Sequence, residues 1–395
     1  MVRPERRTVR DVRKGNQSML LRTLYFDGPA SRNELTRLTG LSAATVSSMT
    51  GDLLAENVVV EAGHVESDGG RPRVILRVNP VYGYAIGVDV ADTHVRVELF
   101  DLEMNEKAKV EYALRPARHD IELVVRHILA GIDVVLADGG VSAGQVLGVG
   151  VGVPGIVERG GDVLVHAKTF GWDGVPLGAM MRAGTTFPVF IDNGAKTMGQ
   201  AELWFGAGRG AGDAVIVLIG SGVGATVVTD GTTFRGVSSS AGELGHTKIV
   251  VNGRTCRCGG RGCLEAYVGA EAILDRAGIP TRTADWQAEL AGLLETGSPV
   301  LAETAAYLGV GLSNLINLIN PERIVIGGWA GLLLGRHLLA EIRAASADNS
   351  LAQPYAATSI VLGRLGPDAV ALGAATLVLE KFLTVHPAAQ VSAAR

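Results

Sequence analysis

Cysteine is scarce in this 395-residue chain: there are three, all between Cys256 and Cys263. An odd number in so short a span excludes a disulfide framework and points to a metal site in a reducing compartment. Aromatic residues make up 5% of the chain and charged residues 19%, while glycine and aliphatic residues abound. That mixture suits a soluble α/β protein rather than a disordered or fibrous one. No run approaches the ~18 to 20 apolar residues that a bilayer span needs. The best signal-peptide candidate, residues 19–26, is broken by Arg22 and Thr23. A cytoplasmic protein with no membrane partner is the expectation, in two or three domains at ~150 residues each.

Charge is unevenly distributed. Residues 1–80 carry 12 Lys/Arg against 9 Asp/Glu, and the whole chain carries 36 against 40. The head is therefore basic and the body acidic, so a polyanionic partner is expected for the head alone. Within it, residues 18–26 read as a helix with Met19, Leu20, Leu24 and Phe26 as apolar members, stopped by Asp27-Gly28-Pro29. Ser31 and Glu34 make a capping-box pattern for a second helix. After the turn Thr39-Gly40-Leu41, Ser42 caps a third helix that runs to about Glu56, with Val46, Met49, Leu53 and Leu54 on one face. Two short helices around a Gly-containing turn are a helix-turn-helix, whose second helix enters the major groove of double-stranded DNA. Strand-like runs at 58–60 and 73–78 flank Asp68-Gly69-Gly70-Arg71-Pro72 and form a wing. The third helix has no Lys or Arg. Base contacts are therefore expected from Ser42, Ala43, Ala44, Thr45, Ser47, Ser48 and Thr50, through hydroxyls and thymine methyls. Phosphate contacts are expected from Arg10, Arg13, Lys14, Arg71 and Arg73.

From Tyr84 the texture changes to strands and Gly-rich turns. Strands are expected at 84–90, 95–100, 108–114 and 146–153, with an amphipathic helix at 121–136. A similar programme recurs with strands 214–219 and 225–229 around Gly220-Ser221-Gly222-Val223-Gly224, a helix at 300–319 and a strand at 323–326. Two strand-hairpin-helix halves suit a cleft between duplicated subdomains. Cys256, Cys258 and Cys263 place three thiolates within eight residues, and His246 is the nearest upstream nitrogen donor. A Cys3His set makes a closed tetrahedral structural zinc site.

Four segments carry a resemblance: Gly150-Val151-Gly152-Val153-Pro154-Gly155, Asp192-Asn193, Glu243-Leu244-Gly245-His246, and the run from Cys256 to Glu265. With them the chain resembles the ROK family of repressors and sugar kinases over nearly its whole length. The head together with this body resembles the family's sugar-responsive repressors. The resemblance implies an α/β architecture: a winged helix-turn-helix at 1–80, then a duplicated actin-like ATPase fold of the sugar-kinase type at 81–395, its subdomains at about 81–195 and 196–395. It supports His246 as the fourth zinc ligand. It implies that Asn193, Glu243, His246 and Glu265 hold the hydroxyls of a sugar or phosphosugar, groups that suit a polyol because carboxylates accept and amides both donate and accept.

Two departures bear on catalysis. The family's kinases have an aspartate after the asparagine as general base; here Gly194 follows Asn193. Their first phosphate loop has two glycines where this chain has Ala91-Asp92, and Asp92 puts a negative charge where a triphosphate would bring its own. Trp329 is expected to crowd the adenine side. The expectation is a non-enzymatic, zinc-containing, sugar-sensing repressor that assembles as a homodimer or homotetramer. The alternatives are an active ATP-dependent sugar kinase bearing a DNA-binding head, and a regulator that answers to a protein partner.

Overall fold

Capping chemistry sets the first three helices. In the computed structural model, which describes residues 8–67, 70–114, 119–158, 162–281 and 285–384, Thr8 opens α1 (Val9–Phe26). Its hydroxyl accepts from the Asp11 N–H, and the Asp11 carboxylate accepts from the Thr8 N–H. This reciprocal box starts the helix well before residue 18, where apolar periodicity begins. The buried stripe of α1 is Leu20, Leu21 and Leu24, and Met19 is 43% exposed, which corrects its expected place on the apolar face. A two-residue strand, β1 (Ala30–Ser31), leads into α2 (Arg32–Thr39), capped by Ser31 and Glu34 and closed by Gly40 in the left-handed region. Ser42 caps α3 (Ala43–Ala55). The wing strands β2 (Val59–Ser67) and β3 (Gly70–Val78) pair antiparallel, and β1 adds to the outer edge of β3.

The first lobe runs β4 (Tyr84–Val90), β5 (His94–Asp101), β6 (Glu106–Ala113), α4 (Ile121–Gly139), β7 (Val146–Val153), β8 (Ile156–Glu158), β9 (Leu164–Ala167), β10 (Trp172–Val175), α5 (Leu177–Gly184) and β11 (Val189–Asn193). Its main sheet has the order β11-β7-β4-β5-β6, and β8 to β10 form a small separate sheet. The second lobe runs α6 (Gly194–Phe205), β12 (Ala214–Ile219), β13 (Val223–Thr229), β14 (Thr232–Phe234), α7 (Glu265–Val268), α8 (Ala270–Arg276), α9 (Trp286–Glu295), α10 (Pro299–Ile319), β15 (Arg323–Gly327), α11 (Trp329–Asp348), α12 (Ala352–Ala357) and β16 (Ser359–Leu362), followed by α13 (Ala369–Thr384). Its sheet has the order β14-β13-β12-β15-β16.

The two sheets share one plan. In each, the first strand pairs antiparallel with the next strand of the chain on one side and parallel with a strand that returns after a helical connection on the other. This is the duplication expected of the body, a doubled actin-like α/β fold. The last helix then leaves the second lobe: α13 packs against β4, β7 and α6. Gly87 and Gly150 let it lie directly on the first sheet, because a Cβ at either would land on the carbonyl groups of Ala371 and Ala374. At its far end Leu379, Phe382 and Leu383 share one buried core with Leu20, Leu21 and Leu24 of α1, and the Ser18 hydroxyl donates to the Leu383 carbonyl at 2.7 Å. Head and body are thus one packed unit. No helix among the described residues is long and apolar enough to cross a membrane.

Candidate functional site

The loop after β14 folds back on itself so that His246, Cys256, Cys258 and Cys263 converge, with ligand atoms all within 4.8 Å of one another. Cys258 Sγ lies 3.8 Å from Cys263 Sγ, and His246 Nδ1 lies 3.9 Å from Cys256 Sγ. A tetrahedron with ~2.3 Å metal–sulfur and ~2.0 Å metal–nitrogen bonds has edges of roughly 3.5 to 3.8 Å, so the cluster already has the size of a zinc centre. Gly262 adopts a positive φ of 75°, and a Cβ there would strike the Val250 carbonyl; only glycine lets the loop close. The Lys248 ammonium donates to Cys263 Sγ at 2.8 Å and the Gly260 N–H to Cys258 Sγ at 3.4 Å, outer contacts of the kind that steady thiolate ligands. The donor set fits a closed structural zinc site, with no protein position left open for substrate.

The same histidine faces the cleft. Its Nε2 lies 4.0 Å from Glu243 Oε2 while Nδ1 faces the cysteines, so each ring nitrogen has a different neighbour. Glu243 precedes the short turn Leu244–His246. Burial pushes its carboxyl above the ordinary carboxylate value, opposed by Lys196 and His246. Glu265 starts α7 and is 6% exposed. One of its oxygens accepts from the Val223 N–H at 3.1 Å, and the other lies 3.4 Å from Cys256 Sγ. Glu243, His246 and Glu265 are therefore brought together along one wall, tied to the cysteine loop.

Asn193 stands at the end of β11 and caps α6. Its Oδ1 accepts from the N–H groups of Ala195 and Lys196 at 2.9 and 3.2 Å, and its Nδ2 donates to the Gly155 carbonyl at 2.7 Å. Both acceptor sites and one donor are thus committed to backbone, leaving one amide N–H for a ligand. Lys196 joins Asn193 to the glutamate wall. It is 4% exposed, donates to the Ser239 carbonyl at 2.6 Å, and lies near enough to Glu243 to favour the carboxylate. Sequence reasoning missed Lys196, although a lone lysine two residues after the Asn-Gly pair was the available signal. It also missed Arg257, which sits between two cysteines and reaches Asp92, Glu271 and Glu265 at 3.5, 3.5 and 3.9 Å. Trp329 begins α11 beside the Gly220 turn: a Cβ on Gly220 would lie 3.3 Å from its indole nitrogen.

In the head, Ala43, Ala44, Ser47 and Ser48 are exposed along α3, and Ser42 and half-buried Thr45 share a hydroxyl contact of 2.8 Å at its start. Thr50 corrects the expectation that it faces outward: it is wholly buried, donates to the Val46 carbonyl, and accepts from Arg32 Nε at 3.0 Å. Arg13 is exposed and pairs with Asp52 of α3 at 2.6 Å. Lys14 and Arg73 are exposed. The side chains of Arg10 and Arg71 lie outside the described residues, as do Asp68 and Gly69.

A winged helix-turn-helix fused to a two-lobed, kinase-type α/β cleft beside a Cys3His cluster defines a regulator-type architecture. Residues 85–381 match the ROK family; the chain belongs to it. It is 31% identical over 386 residues to a xylose repressor of Caldicellulosiruptor bescii, covering 93% of this chain and 96% of that protein. Among solved structures, a ROK family transcriptional regulator homologous to Escherichia coli Mlc superposes with a TM-score of 0.79, at 24% identity over 96% of this chain and 99% of the other. That likeness shows the shared fold, head included. A ROK glucokinase from Streptomyces griseus, bound to glucose and AMPPNP, superposes with a TM-score of 0.66 at 26% identity, covering 75% of this chain and all of its own.

Proposed function

We propose that this chain is a sugar-responsive, DNA-binding transcriptional repressor of carbohydrate-metabolism genes whose cleft binds a sugar without phosphorylating it. Residues 1–80 are the DNA-binding head and residues 81–395 the sensing body, with α13 counted with the first lobe on which it packs. Asn193, Glu243, His246 and Glu265 hold the sugar hydroxyls. A structural zinc ion on His246, Cys256, Cys258 and Cys263 fixes the imidazole so that Nε2 faces the ligand. Ser42, Ala43, Ala44, Thr45, Ser47 and Ser48 read bases, and Arg13, Lys14, Arg71 and Arg73 hold phosphates. A homodimer presents two heads to an operator with two half-sites.

One observation carries this reading: α13 closes the sheet beside the cleft and then enters the core of the head, so a change in lobe closure reaches α1 directly. A ligand shifts DNA affinity only by preferring one arrangement of body and head. Phosphoryl transfer has no support from this site, because position 194 offers no general base, a group that contributes on the order of 10² to 10⁴ in rate. The test is fluorescence anisotropy of DNA from the chain's own promoter region with a panel of free and phosphorylated sugars, xylose first because the repressor relative is named for it. Release by one sugar, lost in Glu243→Ala while DNA binding persists, is expected. Sugar-dependent ADP formation would overturn the reading.

A further inference from the structure

Two turns from opposite sheets meet at Asp92. This residue follows β4 in the first lobe and is 8% exposed. The Ser221 hydroxyl, in the β12–β13 turn of the second lobe, donates to Asp92 Oδ2. Arg257 Nη1, from the cysteine loop of the second lobe, lies 3.5 Å from Asp92 Oδ1. The Asp92 backbone is held independently: its carbonyl lies 2.8 Å from His119 Nε2. That ring is stacked on Phe170 with centroids 3.7 Å apart, and the His119 carbonyl in turn accepts from Trp172 Nε1 at 2.8 Å. A buried carboxylate with both oxygens directed at the other lobe, on a backbone clamped by its own lobe, is arranged to bridge.

The charges around it have the same sense. Arg257 also faces Glu265 and Glu271, so one guanidinium serves three carboxylates from the two lobes. With the lobes apart, Asp92 loses its cationic partner and its hydroxyl donor together, and Arg257 keeps only the carboxylates of its own lobe. Hydrogen bonds to charged groups are the stronger kind.

We propose that Asp92, Ser221 and Arg257 form an interlobe bridge that holds the cleft closed before any ligand enters. The bridge sets the open–closed balance of the cleft. This goes beyond the proposed sugar response and is tested without any sugar, so that its failure is distinct from failure of that reading.

The test is hydrogen–deuterium exchange on the full chain as a double-mutant cycle of Asp92→Ala and Ser221→Ala. Loss of one charged hydrogen bond corresponds to roughly tenfold faster opening. The expected result is that Ser221→Ala speeds exchange of the amides at 91–94 about tenfold and Asp92→Ala, which removes both contacts, speeds exchange at 220–223 at least as much, while the double variant is no faster than Asp92→Ala alone. If Asp92→Ala does not fold, Asp92→Leu takes its place in the cycle, since it fills the space but offers no acceptor to Ser221 and no charge to Arg257. Changes confined to each variant's own turn, or additive effects in the double variant, overturn the bridge.

Discussion

Replacing Glu98 by glutamine should stabilise this protein, and more so as pH rises. Glu98 lies on β5 opposite Lys109 of β6 and Gly87 of β4 and is wholly buried. Neither carboxylate oxygen has a hydrogen-bond partner. Arg96 Nε comes only within 4.0 Å, because that guanidinium is spent on Glu111 and Asp368 at 2.7 Å each. Lys109 is spent on Asp368 and Glu106 at 2.9 and 3.4 Å. Burial, reinforced by Asp368, pushes the Glu98 carboxyl from the ordinary 4.5 up to about 8. Between those two values the unfolded chain has released a proton that the native state keeps, so stability falls as pH rises through the window and levels off above it. The slope is about 1.4 kcal/mol per pH unit, and about 3 kcal/mol has accumulated by pH 7. Glu98→Gln keeps the shape and neutrality of the protonated acid and abolishes the slope. Urea-unfolding midpoints between pH 5 and 8 should show variant and wild type close together at pH 5 and diverging steadily above it. Parallel profiles would mean that Glu98 is ionised in the native state with its neighbours compensating it, and the reasoning from its unpaired oxygens would fail.

Three other outcomes follow from the same geometry. Cys258→Ser, or a strong chelator, should lower the melting temperature and abolish the sugar response together, because metal binding at a Cys3His site contributes directly to folding; an unchanged melting temperature would argue against a structural metal. Gly194→Asp should fold normally, since a Cβ there meets only Val370 and the Val153 carbonyl at 3.6 and 3.7 Å. It should still form no ADP with sugar and ATP in a coupled assay while Asp92 remains between the two turns; turnover by this single variant would show that the base alone had been missing. Phe382→Ala, at a position 1% exposed in the core shared by head and body, should cost about 3 to 5 kcal/mol and leave DNA binding largely insensitive to sugar; anisotropy with and without sugar checks the second effect.

How much of this was legible in the chain depends on how one-sided each element's surroundings are. The strands at 84–90, 146–153 and 214–219 read directly as apolar runs closed by turns, and their bounds match. The capping box at Ser31 and the N-cap at Ser42 marked the starts of α2 and α3. By contrast α13, twelve of whose sixteen residues are buried, packs between a sheet, α6 and the head. It shows no polar face and so no helical period that would reveal its role. Thr50 looked like a surface hydroxyl because its composition suited DNA, whereas its hydroxyl satisfies backbone and Arg32 inside the head. The cysteine spacing was enough to group the three thiols, since neighbours in sequence cannot avoid being neighbours in space, whereas His246 as the fourth member leaned also on the resemblance. Arg257 and Asp92, 165 residues apart, meet only because the duplicated sheets face each other, and no local pattern encodes that meeting.

The placement of α13 also constrains how a signal can travel. A helix of sixteen residues is about 24 Å long at 1.5 Å per residue. At its beginning Val370 lies beside Gly152 and Gly194 at the cleft, and next to it Asp368 pairs with Arg96. At its end Phe382 and Leu383 lie against α1. A rod gripped at both ends cannot absorb a displacement locally, because close-packed interfaces have discrete arrangements rather than continuous ones. The connection through Asn79 and Pro80 is clamped as well: Asn79 Nδ2 donates to the Asn57 carbonyl at 2.9 Å and the Leu102 N–H to the Pro80 carbonyl at 3.0 Å. Neither path is a loose tether. A movement between the lobes that shifts the first sheet under α13 must therefore either move the head as a body or break its core, and only the first leaves the head folded.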